Sequence, residues 1–278
     1  MSTRTSTFDR SRLSDAGFVV GKYLVLLFFL TIIVPPFVYV LSVSLRTPQE
    51  IFELVLIPDT VTFQNYVDVF DEFSQPLIDS FLIATGTSLL SMVITIPSAY
   101  AIGRKQFPGR TAAFYTIILA LLFPHILLII PISDIWNGLG IYNTIPGLWL
   151  AYQPFVTPFS LWILRDFFEN LPPNLEEAAQ VYGCTEFSAF VRVILPISAP
   201  AVVAVGFLAF LAGWNDFLFA NFLTTGTGPE PATVVLFKNV AGELQFWETL
   251  TAQALVVGVP PAVLYIAARR YLAKAFAV

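Results

Sequence analysis

Apolar residues in this chain run in long unbroken blocks. They do not form the alternating or 3.6-residue stripes of a half-buried soluble fold. A helix that crosses a bilayer needs roughly 20 mostly apolar residues, and six blocks meet that length: 23–44, 81–102, 111–132, 145–164, 199–222 and 249–268. The pattern predicts an all-α integral membrane protein with six transmembrane helices. Pro35 and Pro36 fall in the first block, Pro124 and Pro131 in the third, and Pro260 and Pro261 in the sixth. Membrane helices tolerate proline because neighbouring groups satisfy the freed carbonyls. Such kinks suit a pathway that opens and closes, and equally suit plain packing irregularity.

The polar segments between the blocks orient them. Lys and Arg concentrate in short cytoplasmic segments. Arg4, Arg10, Arg12 and Lys22 precede the first block. Arg104, Lys105 and Arg110 follow the second, Arg165 and Arg192 follow the fourth, and Arg269, Arg270 and Lys274 close the chain. The alternate segments are acidic: Glu50, Glu53, Asp59, Asp68, Asp71, Glu72 and Asp79 lie in 47–80, and Glu230, Glu243 and Glu248 precede the sixth block. Both termini are therefore expected in the cytoplasm. Residues 1–76 are expected to hold the N-terminal tail, first helix and outer loop. The transmembrane domain is expected over 77–270, with a cytoplasmic loop at 170–198, and a short cytoplasmic tail over 271–278. The N-terminal stretch reads as a tail before a retained helix, since no small-residue cleavage site follows a short apolar core.

Composition agrees with a lipid-facing exterior. The chain is 56% hydrophobic, with 27 Phe among its 278 residues, and only 12% charged, against about 25% in soluble domains. The single cysteine, Cys184, excludes an internal disulfide and a cysteine metal cluster, and the single histidine, His125, excludes a multi-histidine site. No Gly-rich loop ends in Gly-Lys-Ser/Thr, so ATP is not expected to bind here by that route. No residue set for catalysis, for a metal, for a cofactor or for nucleic-acid binding stands out.

The segment from 165 to 198 is too long for a plain turn. Pro172-Pro173 breaks the preceding helix. Asn174 can cap a new one, with Glu177 three residues on to complete a capping box. Leu175, Ala178, Ala179 and Tyr182 recur at helical spacing, and Gly183 can end the helix. A second short helix is expected over 186–193, stopped by Pro196. The apolar face of this pair needs a cover: bilayer, protein or partner.

Within that segment Glu177-Ala178-Ala179, three residues, Gly183, nine residues and Val193-Ile194-Leu195-Pro196 form the pattern EAA-x3-G-x9-I-x-L-P, with Val for Ile. The pattern resembles the cytoplasmic loop of permease subunits in binding-protein-dependent ABC importers. Alanines at 178 and 179 present a thin surface to an approaching partner, the glycine allows a sharp turn, and Glu177 offers a carboxylate for either the capping box or a partner. Ala99–Arg104 with Phe107-Pro108-Gly109-Arg110 is similar to the family's turn after the second helix. Leu139-Gly140-Ile141-Tyr142-Asn143-Thr144 and Trp214-Asn215-Asp216-Phe217 are similar to motifs of maltose-type carbohydrate permeases. The tail departs from that pattern: Arg270-Tyr271 is followed by Leu-Ala-Lys-Ala-Phe-Ala-Val, not by a Gly-rich end, which puts any tail contact with ATPases in doubt.

The resemblance implies a subunit that uses Glu177, Ala178, Ala179, Gly183, Leu195 and Pro196 to engage an ATPase. It implies a second homologous permease, two ATPase subunits that consume the ATP, an extracytoplasmic solute-binding protein, and a place in a prokaryotic cell membrane. A carbohydrate is the implied cargo; a polyamine, phosphate or other solute on the same architecture is the alternative, and a stand-alone channel or secondary transporter leaves the loop spacing unexplained. Ionisable groups inside spans are functional candidates. Trp214 can stack on a sugar while Asn215 and Asp216 take its hydroxyls, which makes these three a candidate translocation pathway; interhelical packing or a wet helix end is the plainer reading. His125 and Gln253 are expected to be satisfied polar groups.

Overall fold

The computed structural model describes residues 9–51, 58–242 and 246–275. Arg4, Glu53, Glu243 and the last three residues of the expected tail lie outside these, as do the side chains of Arg10 and Arg12. Regular structure among the described residues is helical throughout. The chain divides into two compact units, residues 1–68 with 246–255, and residues 69–245 with 256–278.

In the first unit, α1 (Asp9–Ser44) passes through Pro35 and Pro36 without interruption. Its span Phe18–Ser44 is apolar on every face, and the most apolar stretch is wholly uncovered by the chain itself. An all-round apolar helix suits lipid or a neighbouring helix. The end of α1 is tied in a polar knot. Asn65 Nδ2 donates to the carbonyls of Ser44 and Arg46, both at 2.9 Å. Ser44 Oγ meets Tyr66 Oη at 2.7 Å, and Arg46 is fully buried, donating to Ser42 Oγ.

The second helix, α2 (Gln64–Arg104), is 41 residues long and starts well before residue 81, where the apolar block begins. Much of the expected outer loop is therefore helix. The reason is amphipathicity: Asn65, Val69 and Phe73, four residues apart, are buried, while Asp68, Asp71 and Glu72 face outward. A hydropathy block cannot register a helix with one wet face.

In the second unit, α2 continues to Arg104. The expected third span is a broken helix: α3 (Arg110–Leu119) and α4 (Ile129–Leu139), joined by 3-10 turns at Ala120–Leu122 and His125–Leu128, with a 95° bend. Pro124 causes the break, because its ring drives the preceding residue out of the helical region, and Phe123 is extended at φ −78, ψ 133. His125 packs on the Phe155 ring at 4.9 Å. Its Nε2 is buried with no hydrogen-bond partner among the described residues, contrary to the expectation of a satisfied group.

The fourth expected span, α5 (Ile145–Glu169), starts under a Thr144 cap, whose Oγ1 accepts from Gly147 N at 3.1 Å. It forms the centre of the unit's core, with Leu148, Tyr152, Leu161, Leu164 and Phe168 buried against residues of α2 and the later helices. Beyond the loop, α6 (Leu175–Val181), α7 (Glu186–Ala189) and α8 (Leu195–Ile197) lead to α9 (Ala199–Asn215), α10 (Leu218–Leu223) and α11 (Ala232–Ala241). The last helix, α12 (Trp247–Ala275), belongs to both units and keeps Pro260 and Pro261 inside it. By length and apolar character α1, α2 and α12 can each cross a membrane, or up to five elements if each bent pair is one span.

Candidate coupling loop and polar membrane site

The chain leaves α5 at Glu169, turns through Pro172-Pro173 and enters α6. Asn174 sits at the N-cap but its side chain makes no capping hydrogen bond. The expected capping box is thus not formed, and Glu177 is exposed. The far end is more tightly built. Gly183 N donates to Gln180 O at 2.9 Å and Cys184 N to Ala179 O at 3.1 Å. These are the two bonds of a Schellman cap. Gly183 holds φ +88, which only glycine adopts freely.

Thr185 then caps α7, its Oγ1 accepting from Ser188 N at 3.2 Å. Where one short helix was expected over 186–193, α7 passes into a π turn at Phe190–Ile194, and Pro196 does not stop it but occupies the first turn of α8. Proline fits a first turn because the N–H there has no helical acceptor.

Of the motif residues, Glu177, Ala178, Gly183 and Pro196 are exposed, Leu195 is half-buried, and Ala179 is buried against the body of the unit. Around them Val181, Tyr182 and Phe187 stand 83%, 90% and 75% exposed. The expected apolar face is therefore divided: Leu175 and Ala179 pack against the unit, while Tyr182, with Val181 and Phe187 near it, is left uncovered among the described residues.

Polar anchors tie the loop back. Arg104, at the last residue of α2, donates through Nε to Glu176 Oε1 at 3.0 Å and through Nη2 to Glu176 Oε2. Its Nη1 also reaches Leu171 O at 2.8 Å, and Nη2 reaches Pro172 O at 3.0 Å. Tyr100 Oη donates to the same Glu176 Oε1 at 3.3 Å. Lys105 meets Glu186 of α7 at 3.1 Å, and Glu169 joins Arg110 at 3.2 Å to Arg165 at 2.6 Å. Burial pushes the Glu176 carboxyl up, but the hydrogen bonds and charge of Arg104 outweigh it, so the group titrates below its ordinary value. The hydrogen bond to Glu186 raises the Lys105 ammonium. A polar cleft of about 420 Å³ lies beside this joint, lined in part by Arg104, Lys105, Glu177 and Gln180.

The Trp214-Asn215-Asp216 stretch divides by role. Trp214 is 2% exposed and stacks on Phe210, ring centres 5.6 Å apart. Asn215, the last residue of α9, is exposed. Asp216 breaks the fifth span: its backbone is extended, and Oδ1 accepts from Phe219 N at 3.0 Å and Ala220 N at 3.2 Å, capping α10. Nearby, Asn143, at φ +61, accepts from Thr225 N at 2.8 Å, and Tyr142 Oη donates to Phe222 O. The Leu139–Thr144 motif thus holds the turn after α10.

Arg104, Tyr100 and Glu176 were not singled out as site residues from the sequence. The signal present was a basic pair, Arg104-Lys105, ending an apolar block, with an acid directly before the EAA triplet.

The family model described as binding-protein-dependent transport system inner membrane component matches residues 95–278, which include the whole loop. The chain belongs to this family. It is a transport permease and not an enzyme. Among its relatives is the trehalose transport system permease protein SugB of Mycobacterium tuberculosis, 36% identical over 81% of this chain and 84% of that one. The trehalose/maltose transport system permease protein MalG of Thermococcus litoralis is 30% identical over 85% and 87%. The fold matches a chain of the bacterial ABC transporter involved in import of the acidic polysaccharide alginate, with TM-score 0.78 and 20% identity over 98% of this chain and all of that one. The fold is that of an ABC importer permease.

Proposed function

We propose that this family member is one of two membrane-spanning subunits of an ATP-driven importer of a carbohydrate in the plasma membrane. Six spans with both termini cytoplasmic place the α6–α7 loop on the ATP side. The observation that carries the reading is the built but uncovered end of that loop: a Schellman-capped helix that presents Glu177, Ala178 and Gly183 beside Val181, Tyr182 and Phe187. Uncovered aromatics on an anchored helix pair fit a protein partner, and the partner is an ATPase subunit. Two ATPases, a second permease and an extracytoplasmic solute-binding protein complete the complex. The family's dependence on a binding protein supports the last of these, and the trehalose and maltose relatives support a sugar as cargo.

ATP-driven closure of the ATPases moves the loop and shifts the pathway between inward- and outward-open states. At a break in a membrane helix, Asn215 supplies an exposed polar group to that pathway and Asp216 a part-buried carboxylate beside it, and Trp214 supports them from the packed side. The test is a mild-detergent pull-down of the tagged chain from its native membrane, with co-purifying proteins identified by mass. Recovery of an ATPase, lost when Gly183→Asp is introduced, is the expected result. A chain that comes down alone, in detergent that preserves a known importer, overturns the reading. An uptake panel of sugars, polyamines and phosphate on the assembled complex then settles the cargo.

A further inference from the structure

We infer that Arg104 is a positioning residue that makes the EAA loop and the membrane helix α2 move as one body, so that force applied at α6 is delivered to α2. The inference rests on the ATPase-docking reading of the loop and names the joint through which that docking acts.

The argument starts from what α6 lacks. It has seven residues and one buried side chain, Ala179. Isolated helices shorter than about 12–15 residues are marginal in water, so α6 cannot keep its position by its own packing. Leu175 and Ala179 give it a small apolar footing and Tyr100 Oη one hydrogen bond, but the group that ties it to the most partners is one guanidinium. Arg104 bonds both carboxylate oxygens of Glu176 and the carbonyls of Leu171 and Pro172. One planar group therefore bridges the end of α2, the chain leaving α5 and the first turn of α6.

The joint is stiff for three reasons. The Arg104 and Glu176 side chains are only 9% and 13% exposed, so water competes little for them. The fork geometry fixes direction as well as distance, which a lysine cannot do. And Gly103 lets the backbones close up: a Cβ there would stand 3.0 Å from Arg165 O and 3.1 Å from Phe168 Cβ. The adjacent Lys105–Glu186 pair makes the contrast, since at 39% and 73% exposed it is a solvated contact of the kind worth little. Two neighbouring basic residues thus reach the two helices of one loop, and only the first is built to carry load.

The test uses the full complex reconstituted in liposomes with its ATPases, permease partner and binding protein. The readouts are ATPase recovered with the tagged chain, ATP hydrolysed, and solute accumulated per ATP. For Arg104→Lys, docking and hydrolysis are expected to persist while solute per ATP falls several-fold. Lys105→Ala is expected to leave that ratio unchanged. The double variant Arg104→Glu with Glu176→Arg, which restores the pairing in reverse, is expected to recover part of the ratio lost in Arg104→Glu alone. A merely structural role would lower assembly and hydrolysis together and leave the ratio intact. An Arg104→Lys complex with the native ratio overturns the inference. Failure of the native chain to retain any ATPase overturns the docking reading instead. If Arg104→Lys does not accumulate in the membrane, Glu176→Gln, which removes one charge and keeps the side-chain shape, is measured by the same ratio and the same criterion decides.

Discussion

Gly183 offers a perturbation whose size can be worked out. A Cβ at this position meets nothing within 4 Å, so substitution costs backbone strain alone. For an L-residue the left-handed conformation costs about 1–2 kcal/mol. Since α6 has no reserve of its own, that penalty changes the ratio of capped to frayed helix by a factor of about 5–30. Asparagine enters the left-handed region more readily than alanine, and β-branched residues least of all. The expected order of damage is therefore Asn, then Ala, then Val. Cys184 supplies the assay within the native sequence. It is the chain's only cysteine, half-buried, and its N–H makes one of the two cap bonds. Maleimide labelling of its thiol in the assembled complex is expected to accelerate in the same order, by up to that factor, with solute accumulated per ATP falling alongside. Gly183→Asp shares the backbone tolerance of Asn and adds a charge to the docking face, so with the ATPase absent from both it should label like Asn, yet it should fail to retain the ATPase that Asn keeps. An alanine form that labels at the native rate, or Asn and Val forms that label alike, would refute the strain argument.

Asp216→Ala removes the acceptor for two first-turn N–H groups of α10 and should cost about 1 kcal/mol. Asp216→Asn keeps an acceptor and should melt near the native temperature in detergent, so lost uptake in that form reports solute contact rather than stability. Ser80→Ala leaves the buried Ala232 N–H without its 2.8 Å acceptor, a loss of about 1–3 kcal/mol that limited proteolysis of the 224–231 turn should register as faster cleavage. Glu176 carries a pH signature. Because its folded value lies below the ordinary one, its contribution is fully present above the ordinary carboxylate range and disappears as pH falls through the depressed value. The melting gap between native chain and Glu176→Gln should therefore be full at neutral pH and close in acid.

Continuous apolar blocks made α1 and α12 legible, and Pro172-Pro173, the apolar spacing from Leu175 to Tyr182 and Gly183 placed α6 and its glycine cap. What escaped the sequence has physical causes. The extension of α2 to Gln64 is amphipathic, with Asn65, Val69 and Phe73 buried, and hydropathy averaged over a window does not see one face. Proline was visible everywhere, but its effect depends on context. Pro124 breaks a span at 95°, while Pro35, Pro97, Pro158 and Pro260 sit inside continuous helices. The capping box failed because Asn174 stays outside hydrogen-bond geometry, and the held end of α6 is the other one. Chemistry alone leaves Trp214 open between a sugar platform and packing; its stacking on Phe210, one turn earlier on the same helix, follows from a rotation about the helix axis that composition does not specify. Arg104 could not be assigned because its partner lies 72 residues away.

That separation also fixes an order of events during synthesis. When Arg104 leaves the ribosome, neither Glu176 nor the carbonyls at 171 and 172 yet exist. At about 5–20 residues per second, the wait is roughly 4–14 s, during which the broken helix α3–α4 and the whole of α5 must be made and placed. The guanidinium spends that time wet, a fixed positive charge at the end of α2 available to hold the helix on its own side of the bilayer. Pairing with Glu176 then withdraws the charge from solvent. Under the joint inferred above, the same arginine is thus a free charge on an unfinished chain and a partner to Glu176 only in the finished one.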